Sequence, residues 1–287
     1  MSTIKPLVYD AANARLAEIE IQIPIGRNLL INAEGLINQR GFAGGALAAG
    51  VYGYDRFKAG TGGCNFSVSS GVWTHTSGPI VQVVEAPTGV FGSSVTFSVE
   101  DPNTNISVSV GGVSGTITAG SGRRGVTLAI PSGGGNLTVQ WSATGATYKR
   151  PQLERGSAAT AFESRHPALE LMLCQRYYEK SFPLDVSPGQ NAGLAGASFV
   201  SQTTQALWRS SGYFVSFNVV KAVYPAITIF NPLALNAKLR NVAVNEDAEN
   251  TSVNLYGARG FVVEFDATQG SSYGNPNAMH WTADSEL

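Results

Sequence analysis

Aromatic residues next to glycines are the most chemically suggestive feature of the C-terminal third of the chain. Tyr213, Tyr256 and Tyr273 each adjoin a glycine, which favours a turn at that position. Aromatic faces pack against the C–H groups of sugar rings, and binding residues are often carried by loops. Their positions beside turns make Tyr256 and Tyr273 the preferred pair for contact with a ligand, with Tyr213 as a further candidate.

Three other residues could supply the same kind of contact. Trp208 lies in the same part of the chain, and Trp73 and His75 follow a Gly-Val pair near the N-terminal end. The alternative for every one of these aromatic residues is packing in a hydrophobic core or at a subunit contact.

Catalytic and metal-binding patterns are weak. Glu264 and Asp266 are two residues apart on a predicted strand, so they share a face, and glycoside hydrolysis uses two carboxyl groups roughly 5–10 Å apart. The same spacing is common on solvent-facing strands. The three histidines are scattered, and no nucleophile elbow, phosphate loop or zinc spacing is present. The oxygen-rich segments 101–105 and 245–250 are typical of turns. We predict no catalytic residue, no metal site and no cofactor.

Composition excludes several classes of protein. Charged residues make up 14% of the 287 positions and the net charge is −1, so the basic surface that binds nucleic acid is not expected. The N-terminal sequence has no apolar core of a secretory signal, and no apolar run approaches the ~18 residues of a membrane span. Cys64 and Cys174 are expected to be reduced thiols in a protein made in a cytoplasm.

The elements that must position these side chains are mostly strands. Apolar and polar residues alternate with a period of two, and the 33 glycines cluster at the breaks. This pattern is typical of antiparallel sheets covering a core. We predict an all-β chain with two antiparallel, jelly-roll-like β-sandwiches and a short lead. The boundaries are 1–27 for an N-terminal attachment segment, 28–163 for the first sandwich and 164–287 for a helix with a second sandwich.

One segment has helical periodicity. Pro167 fits the first turn of a helix, and apolar residues follow at i, i+3 and i+4 spacing through Tyr177 to Lys180. We predict a helix at 167–180, packed either on its own chain or at a contact with other copies of the chain.

Several motifs resemble those of bacteriophage tail fibre and tail spike proteins. An Asn-Leu-Leu sequence begins at Asn28, an Asn-Gln-Arg-Gly segment at Asn38, and an Asp-Arg-Phe segment at Asp55. Many such proteins open a carbohydrate-binding-like β-sandwich with these motifs, except that they have tryptophan where this chain has Phe57.

A second group of motifs resembles the point where that domain meets a C-terminal head. It runs from Pro151-Gln152-Leu153-Glu154 to the Cys-Gln-Arg-Tyr-Tyr-Glu-Lys sequence of 174–180, and the sequence from Trp281 to Leu287 resembles the end of such heads. The likeness covers the first sandwich and the junction, and the head at its two ends.

The resemblance implies a tail fibre or tail-tip protein in the virion, assembled in the host cytoplasm as a homotrimer. Its partners would be a host-surface polysaccharide or surface protein and other tail or baseplate proteins, with no nucleic acid and no membrane insertion. Two alternatives remain open: a glycan depolymerase using Glu264 and Asp266, and a purely structural baseplate component.

Overall fold

The computed structural model of the chain describes residues 7–10, 15–18, 26–201, 209–267 and 271–287. Within these ranges the regular structure is antiparallel strand apart from one helix. The prediction of an all-β fold is therefore confirmed.

The lead forms a small antiparallel pair of strands. β1 (Leu7–Asp10) pairs with β2 (Arg15–Glu18), and Leu7 lies opposite Glu18. The strand that the sequence predicts at 7–9 is confirmed, and residues 16–18 of the extended or amphipathic piece predicted at 16–23 are also strand. The turn predicted at 10–14 begins later, since Asp10 belongs to β1. Residues 11–14 and 19–25 lie outside the described residues.

The first sandwich contains eleven strands, listed here in chain order. They are β3 (Gly45–Leu47), β4 (Lys58–Ala59), β5 (Cys64–Ser69), β6 (Val72–Ser77), β7 (Pro79–Val84), β8 (Ser94–Glu100), β9 (Ile106–Val110), β10 (Val113–Ile117), β11 (Arg123–Ala129), β12 (Leu137–Ser142) and β13 (Ala146–Arg155).

These strands form two sheets, one in the order β10-β9-β12-β7-β4 and the other in the order β11-β8-β13-β6-β5-β3. From β6 onwards most connections pass from one sheet to the other, as expected for a jelly-roll-like arrangement. The predicted break at Gly111-Gly112 is the tight turn of the β9–β10 hairpin, where both glycines have positive φ (56° and 84°). Such a backbone favours glycine because it has no Cβ.

Aromatic rings fill the space between the two sheets. Trp73 is fully buried and stacks on Phe66, with ring centres 5.6 Å apart and planes 9° apart. Phe57 meets Trp73 edge-on at 4.9 Å and Trp141 at 5.8 Å. Phe57 is therefore a central core ring, and the tryptophan that it replaces in the resembling proteins would occupy a buried position here.

The single helix of the described chain, α1 (Pro167–Gln175), begins as predicted and ends earlier than predicted. His166 caps it, and Pro167 occupies the first turn, where the missing N–H costs no hydrogen bond. The helix ends at Gln175 because the chain then becomes β14 (Tyr178–Lys180), which pairs with a strand of residues 164–287, the part of the chain that we call the head. The prediction of helix through residue 180 was wrong, since this pairing overrides the local periodicity.

The head contains eight further strands in chain order. They are β15 (Ser198–Ser201), β16 (Arg209–Ser216), β17 (Ala226–Phe230), β18 (Arg240–Asn241), β19 (Glu246–Asp247), β20 (Glu249–Gly257), β21 (Gly260–Asp266) and β22 (Pro276–Asp284).

Two sheets enclose the head core. β22 pairs with β14, β15, β17 and β18, and the second sheet has the order β16-β21-β20. Phe261, Val263 and Phe265 point inward from β21 and are fully buried against Met279 and Trp281 of β22. This core is separate from the cluster of buried residues in the first sandwich.

Candidate functional site

The motifs that carry the resemblance meet at a buried junction between the first sandwich and the head. Arg56, 1% exposed, forms an ion pair with Glu286, whose side chain is 4% exposed. Its guanidinium carbon lies 3.4 Å from the ring centre of Tyr177, and the guanidinium donates to the carbonyl oxygen of Val83. These contacts bring three separate motifs into one cluster.

A second arginine extends the same cluster. Arg40 lies 3.5 Å from Asp55 and 3.4 Å from Glu286, measured between nitrogen and oxygen atoms, and its guanidinium carbon is 3.8 Å from the ring centre of Tyr178. Asp55 also accepts hydrogen bonds from the main-chain N–H (3.1 Å) and the side-chain amide (2.7 Å) of Gln39. The junction cluster is defined as Arg40, Asp55, Arg56, Tyr177, Tyr178 and Glu286.

One more ion pair crosses the junction, and another lies beside it within residues 164–287. Arg176 donates from Nε and Nη2 to the two carboxylate oxygens of Glu85, at 2.7 Å and 2.6 Å, in a bidentate pair. Lys221 pairs with Glu179, and both side chains are fully buried. The Lys221 ammonium also donates to the carbonyl oxygen of Gln175, so the segment after β16 is fixed to the end of the helix.

The junction shifts several pKa values. Burial raises the pKa of the Asp55 and Glu286 carboxyl groups, against the opposing effect of the neighbouring arginines. Burial also raises the pKa of Tyr178 to about 12, and the hydrogen bonds from Arg176 lower the pKa of Glu85. Shifted pKa values indicate catalytic sites when they lie in an open cleft. Here the groups are paired with opposite charges at a closed contact, which indicates a structural role.

Trp73 and His75 belong to the core of the first sandwich. Both are fully buried on β6, because they alternate onto the face that meets the other sheet. The Trp73 indole donates to the carbonyl oxygen of Ala33 at 3.1 Å, and His75 Nε2 lies 2.6 Å from the carbonyl oxygen of Gly78. The prediction that Trp73 and His75 contact a ligand is therefore corrected.

Tyr213 lies on β16 and packs against the head core instead of standing in a turn. The register of β16 shifts between Ser210 and Tyr213, and a Cβ added at Gly212 would lie 2.3 Å from Val262. Gly212 is therefore required by its close approach to β21, and the prediction that Tyr213 follows a turn is corrected, since it lies within β16 and is half-buried. Trp208 lies outside the described residues.

Both tyrosines of the preferred pair are exposed. Tyr256 is 54% exposed and Tyr273 is 75% exposed, as expected for residues beside turns. Tyr256 precedes the turn into β21, however, and Tyr273 follows the end of that strand. The seven residues of β21 span about 23 Å at ~3.3 Å per residue. Joint contact of Tyr256 and Tyr273 with a sugar stays a prediction.

Glu264 and Asp266 share the outer face of β21, as their spacing predicts, because Val263 and Phe265 point into the core. Glu264 accepts a hydrogen bond from the Asn254 amide at 2.9 Å, and Asp266 accepts one from Asn250 at 2.6 Å.

An open groove of about 310 Å³ lies at one end of the β16-β21-β20 sheet, where β16 ends and β21 begins. We call it the head groove; its lining residues are Phe214, Ser216, Phe217, Asn218, Val220 and Arg259.

Phe214 is the most distinctive residue of the head groove. Its side chain is 60% exposed, and its ring lies over Gly260, where an added Cβ would be 2.4 Å from Cζ. The sequence carried a signal for it, since Phe214 interrupts the polar side of the strand on which Ser216 and Asn218 alternate with the core residues. An exposed ring beside a hydroxyl, an amide and a guanidinium has the composition of a sugar-binding surface.

The first sandwich has a second open groove, of about 440 Å³, on β9, β10 and β12. We call it the hydroxyl groove; it is lined by Ser107, Val108, Ser109, Ser114, Gly115, Thr116, Gln140 and Ser142. Its lining is uncharged and contains no aromatic ring, so it offers hydrogen bonds without a stacking surface.

Other sites predicted or excluded from the sequence can be compared with the fold. Within the described ranges, no group of three or more His, Cys, Asp or Glu residues is arranged to hold a metal ion. Cys64 and Cys174 are both buried free thiols, as predicted, and burial raises the pKa of Cys64 to about 11. None of the helical structure described is long and apolar enough to span a membrane.

Comparison with known proteins assigns the chain to no family. No family model and no curated protein sequence matches it. Two structures of discoidin II from Dictyostelium discoideum, a native recombinant form and the wild-type protein, are similar over 75% of this chain. They share 11% sequence identity, with 82% and 81% of their own chains covered and TM-scores of 0.23 and 0.22. A likeness this distant assigns the chain to no class.

Proposed function

We propose that the chain is a receptor-binding protein of a bacteriophage tail, which attaches the virion to a host-surface glycan without cleaving it. The observation that carries the glycan part is the head groove, where the exposed ring of Phe214 lies beside Ser216, Asn218 and Arg259. A sugar would place its C–H face on the ring and its hydroxyl groups on the hydroxyl and amide.

The tail assignment depends on the resemblance of the sequence motifs to tail fibre and tail spike proteins. The junction cluster supports it indirectly, because residues from those motifs contact one another through buried ion pairs. Such a junction fixes the head relative to the first sandwich. A fixed head suits a protein that must transmit a binding event to a tail.

The proposal includes a homotrimer attached to other tail proteins through the N-terminal lead. Leu169 and Met172 of α1 are 41% and 55% exposed on one face of the helix, three residues apart, and would supply apolar contacts between copies. Three weak glycan sites on one assembly would gain avidity with no new contact to the ligand.

Two matched variants test the head groove. Phe214→Ser removes the ring, and Phe199→Ser removes a phenylalanine that is 55% exposed on β15, in the other sheet of the head. We expect Phe214→Ser to weaken binding of the labelled full-length protein to a panel of bacterial cells by roughly tenfold or more, since aromatic anchors dominate binding energy. Phe199→Ser should bind like the parent protein.

Two results would contradict this function. Equal binding by the parent protein and Phe214→Ser would exclude the head groove as the contact surface. Release of new reducing ends from a bound polysaccharide would show cleavage, and would favour a depolymerase in which Glu264 and Asp266 are the first residues to replace.

A further inference from the structure

The charge of the head groove points to the class of glycan that it binds. Arg259 lies in the turn between β20 and β21, and its main-chain carbonyl oxygen accepts a hydrogen bond from the Phe217 N–H at 3.0 Å. This bond fixes the turn against the other side of the groove. The side chain of Arg259 is exposed and lines the groove.

The other cations close to the groove are already neutralised. Arg176, which donates to the carbonyl oxygen of Val220, is held in the bidentate pair with Glu85. Lys221, the next residue, is paired with buried Glu179. Arg259, in contrast, forms no ion pair with any residue in the described part of the chain.

Both acidic side chains of β21, Glu264 and Asp266, lie several residues along the strand from this arginine. Glu264 lies on the outer face of β21, four residues beyond Gly260, or about 13 Å along the strand. The Glu264 carboxylate also accepts a hydrogen bond from the Asn254 amide. Among the residues that the structure describes, the groove therefore combines one positive charge that has no ion-pair partner with the apolar surfaces of Phe214 and Val220.

We infer that Arg259 selects an anionic saccharide, in which an acidic group on the sugar pairs with the guanidinium while the sugar ring lies on Phe214. This inference rests on the function proposed above. A guanidinium forms bidentate hydrogen bonds with carboxylate and with phosphate, so both kinds of acidic sugar satisfy it. The hydroxyl groove, with its uncharged lining, offers no such pairing.

The test uses an array of bacterial polysaccharides in three groups: neutral, uronic-acid-bearing and phosphate-bearing. The full-length protein is compared with Arg259→Gln, Arg259→Lys and the control Arg124→Gln. Arg124 is an exposed arginine of the first sandwich whose replacement changes the net charge equally. The array distinguishes carboxylate from phosphate as the source of the charge.

We expect the parent protein to retain acidic polysaccharides and Arg259→Gln to bind them roughly tenfold or more weakly, as for the loss of a charge-assisted hydrogen bond. Arg259→Lys should recover part of the affinity, and Arg124→Gln should match the parent. Chemical reduction of the carboxyl groups should abolish retention of a uronic-acid-bearing polymer.

Retention of neutral polysaccharides, or unchanged binding by Arg259→Gln, would overturn the inference while leaving glycan binding intact. Retention of no polysaccharide by the parent protein would overturn the proposed function together with the inference. Folding of each variant is checked by its thermal unfolding temperature, which should stay close to that of the parent because Arg259 is exposed.

Discussion

Removing one charge from the junction cluster should destabilise the protein far more than removing a charge from its surface. In Glu286→Gln, the Arg56 guanidinium loses its carboxylate partner while it remains 1% exposed beneath the Tyr177 ring. Breaking a buried ion pair on one side costs about 3–5 kcal/mol, because the remaining charge is uncompensated. For a chain of this size, 3 kcal/mol lowers the unfolding temperature by roughly 6–12 °C.

A matched surface pair provides the control. Lys238 and Glu249 are 2.8 Å apart but 39% and 64% exposed, so solvent already screens their attraction. Replacing Lys238 with Gln should cost under about 1 kcal/mol. The two single variants are compared by differential scanning calorimetry at the same pH and ionic strength.

A double variant separates lost charge from lost packing. Arg56→Met with Glu286→Leu removes both charges and keeps apolar volume, and buried pairs replaced in this way often retain or gain stability. We expect the double variant to unfold at a higher temperature than Glu286→Gln, although the carbonyl oxygen of Val83 loses its donor. Similar shifts for Glu286→Gln and Lys238→Gln, or a double variant less stable than the single one, would refute this account of the junction.

Two other predictions follow from the first sandwich. Hydrogen bonds from Arg176 lower the pKa of Glu85 in the folded state, so the stability they provide is present above the unfolded pKa of about 4.5 and is lost as pH falls through the lowered value. Urea unfolding midpoints measured from pH 6 to pH 3 should therefore fall less steeply in Glu85→Gln than in the parent protein. An identical slope in the two proteins would contradict this role of Glu85. Gly78 and Gly71 both have positive φ (78° and 76°), but of these two only Gly78 would bring an added Cβ against backbone, 2.2 Å from the Gly63 carbonyl oxygen. Gly78→Ala should therefore lower the unfolding temperature clearly more than Gly71→Ala. Equal decreases in the two variants would show that the backbone strain at positive φ alone matters.

The strands and the helix start that depend on local periodicity were predicted from the sequence. Alternation placed β8, β9 and β12 correctly, and Pro167 marked the start of the helix. The alternation of residues could not show whether another part of the chain covers the polar face of a strand. Thr96 and Ser98 lie on the polar side of the alternation in β8, yet they are 2% and 0% exposed. The Thr96 hydroxyl donates to the carbonyl oxygen of Gly156, which follows β13.

The candidate site was harder to predict for a related reason. A glycine beside an aromatic residue has two explanations, a turn or a close approach, and sequence does not distinguish them. Gly212 is a close approach, so Tyr213 packs inward, whereas Gly274 has a positive φ of 87° and Tyr273 is exposed. The informative signal was a different one, the apolar Phe214 on the polar side of a strand.

The positions of the recognisable motifs explain why the resemblance says more about the scaffold than about the ligand. Arg40, Asp55, Arg56 and Glu286 come from three motif segments, and all four are buried or half-buried in contacts with one another. A change at Glu286 would leave the Arg56 guanidinium without its carboxylate partner inside the junction, so we expect this position to tolerate little substitution. The residues that line the head groove lie outside every motif and are mostly exposed. Substitutions there cost little stability and alter the binding surface directly. A chain built in this way can change its ligand while its motifs stay constant, and the ligand must therefore be deduced from the groove.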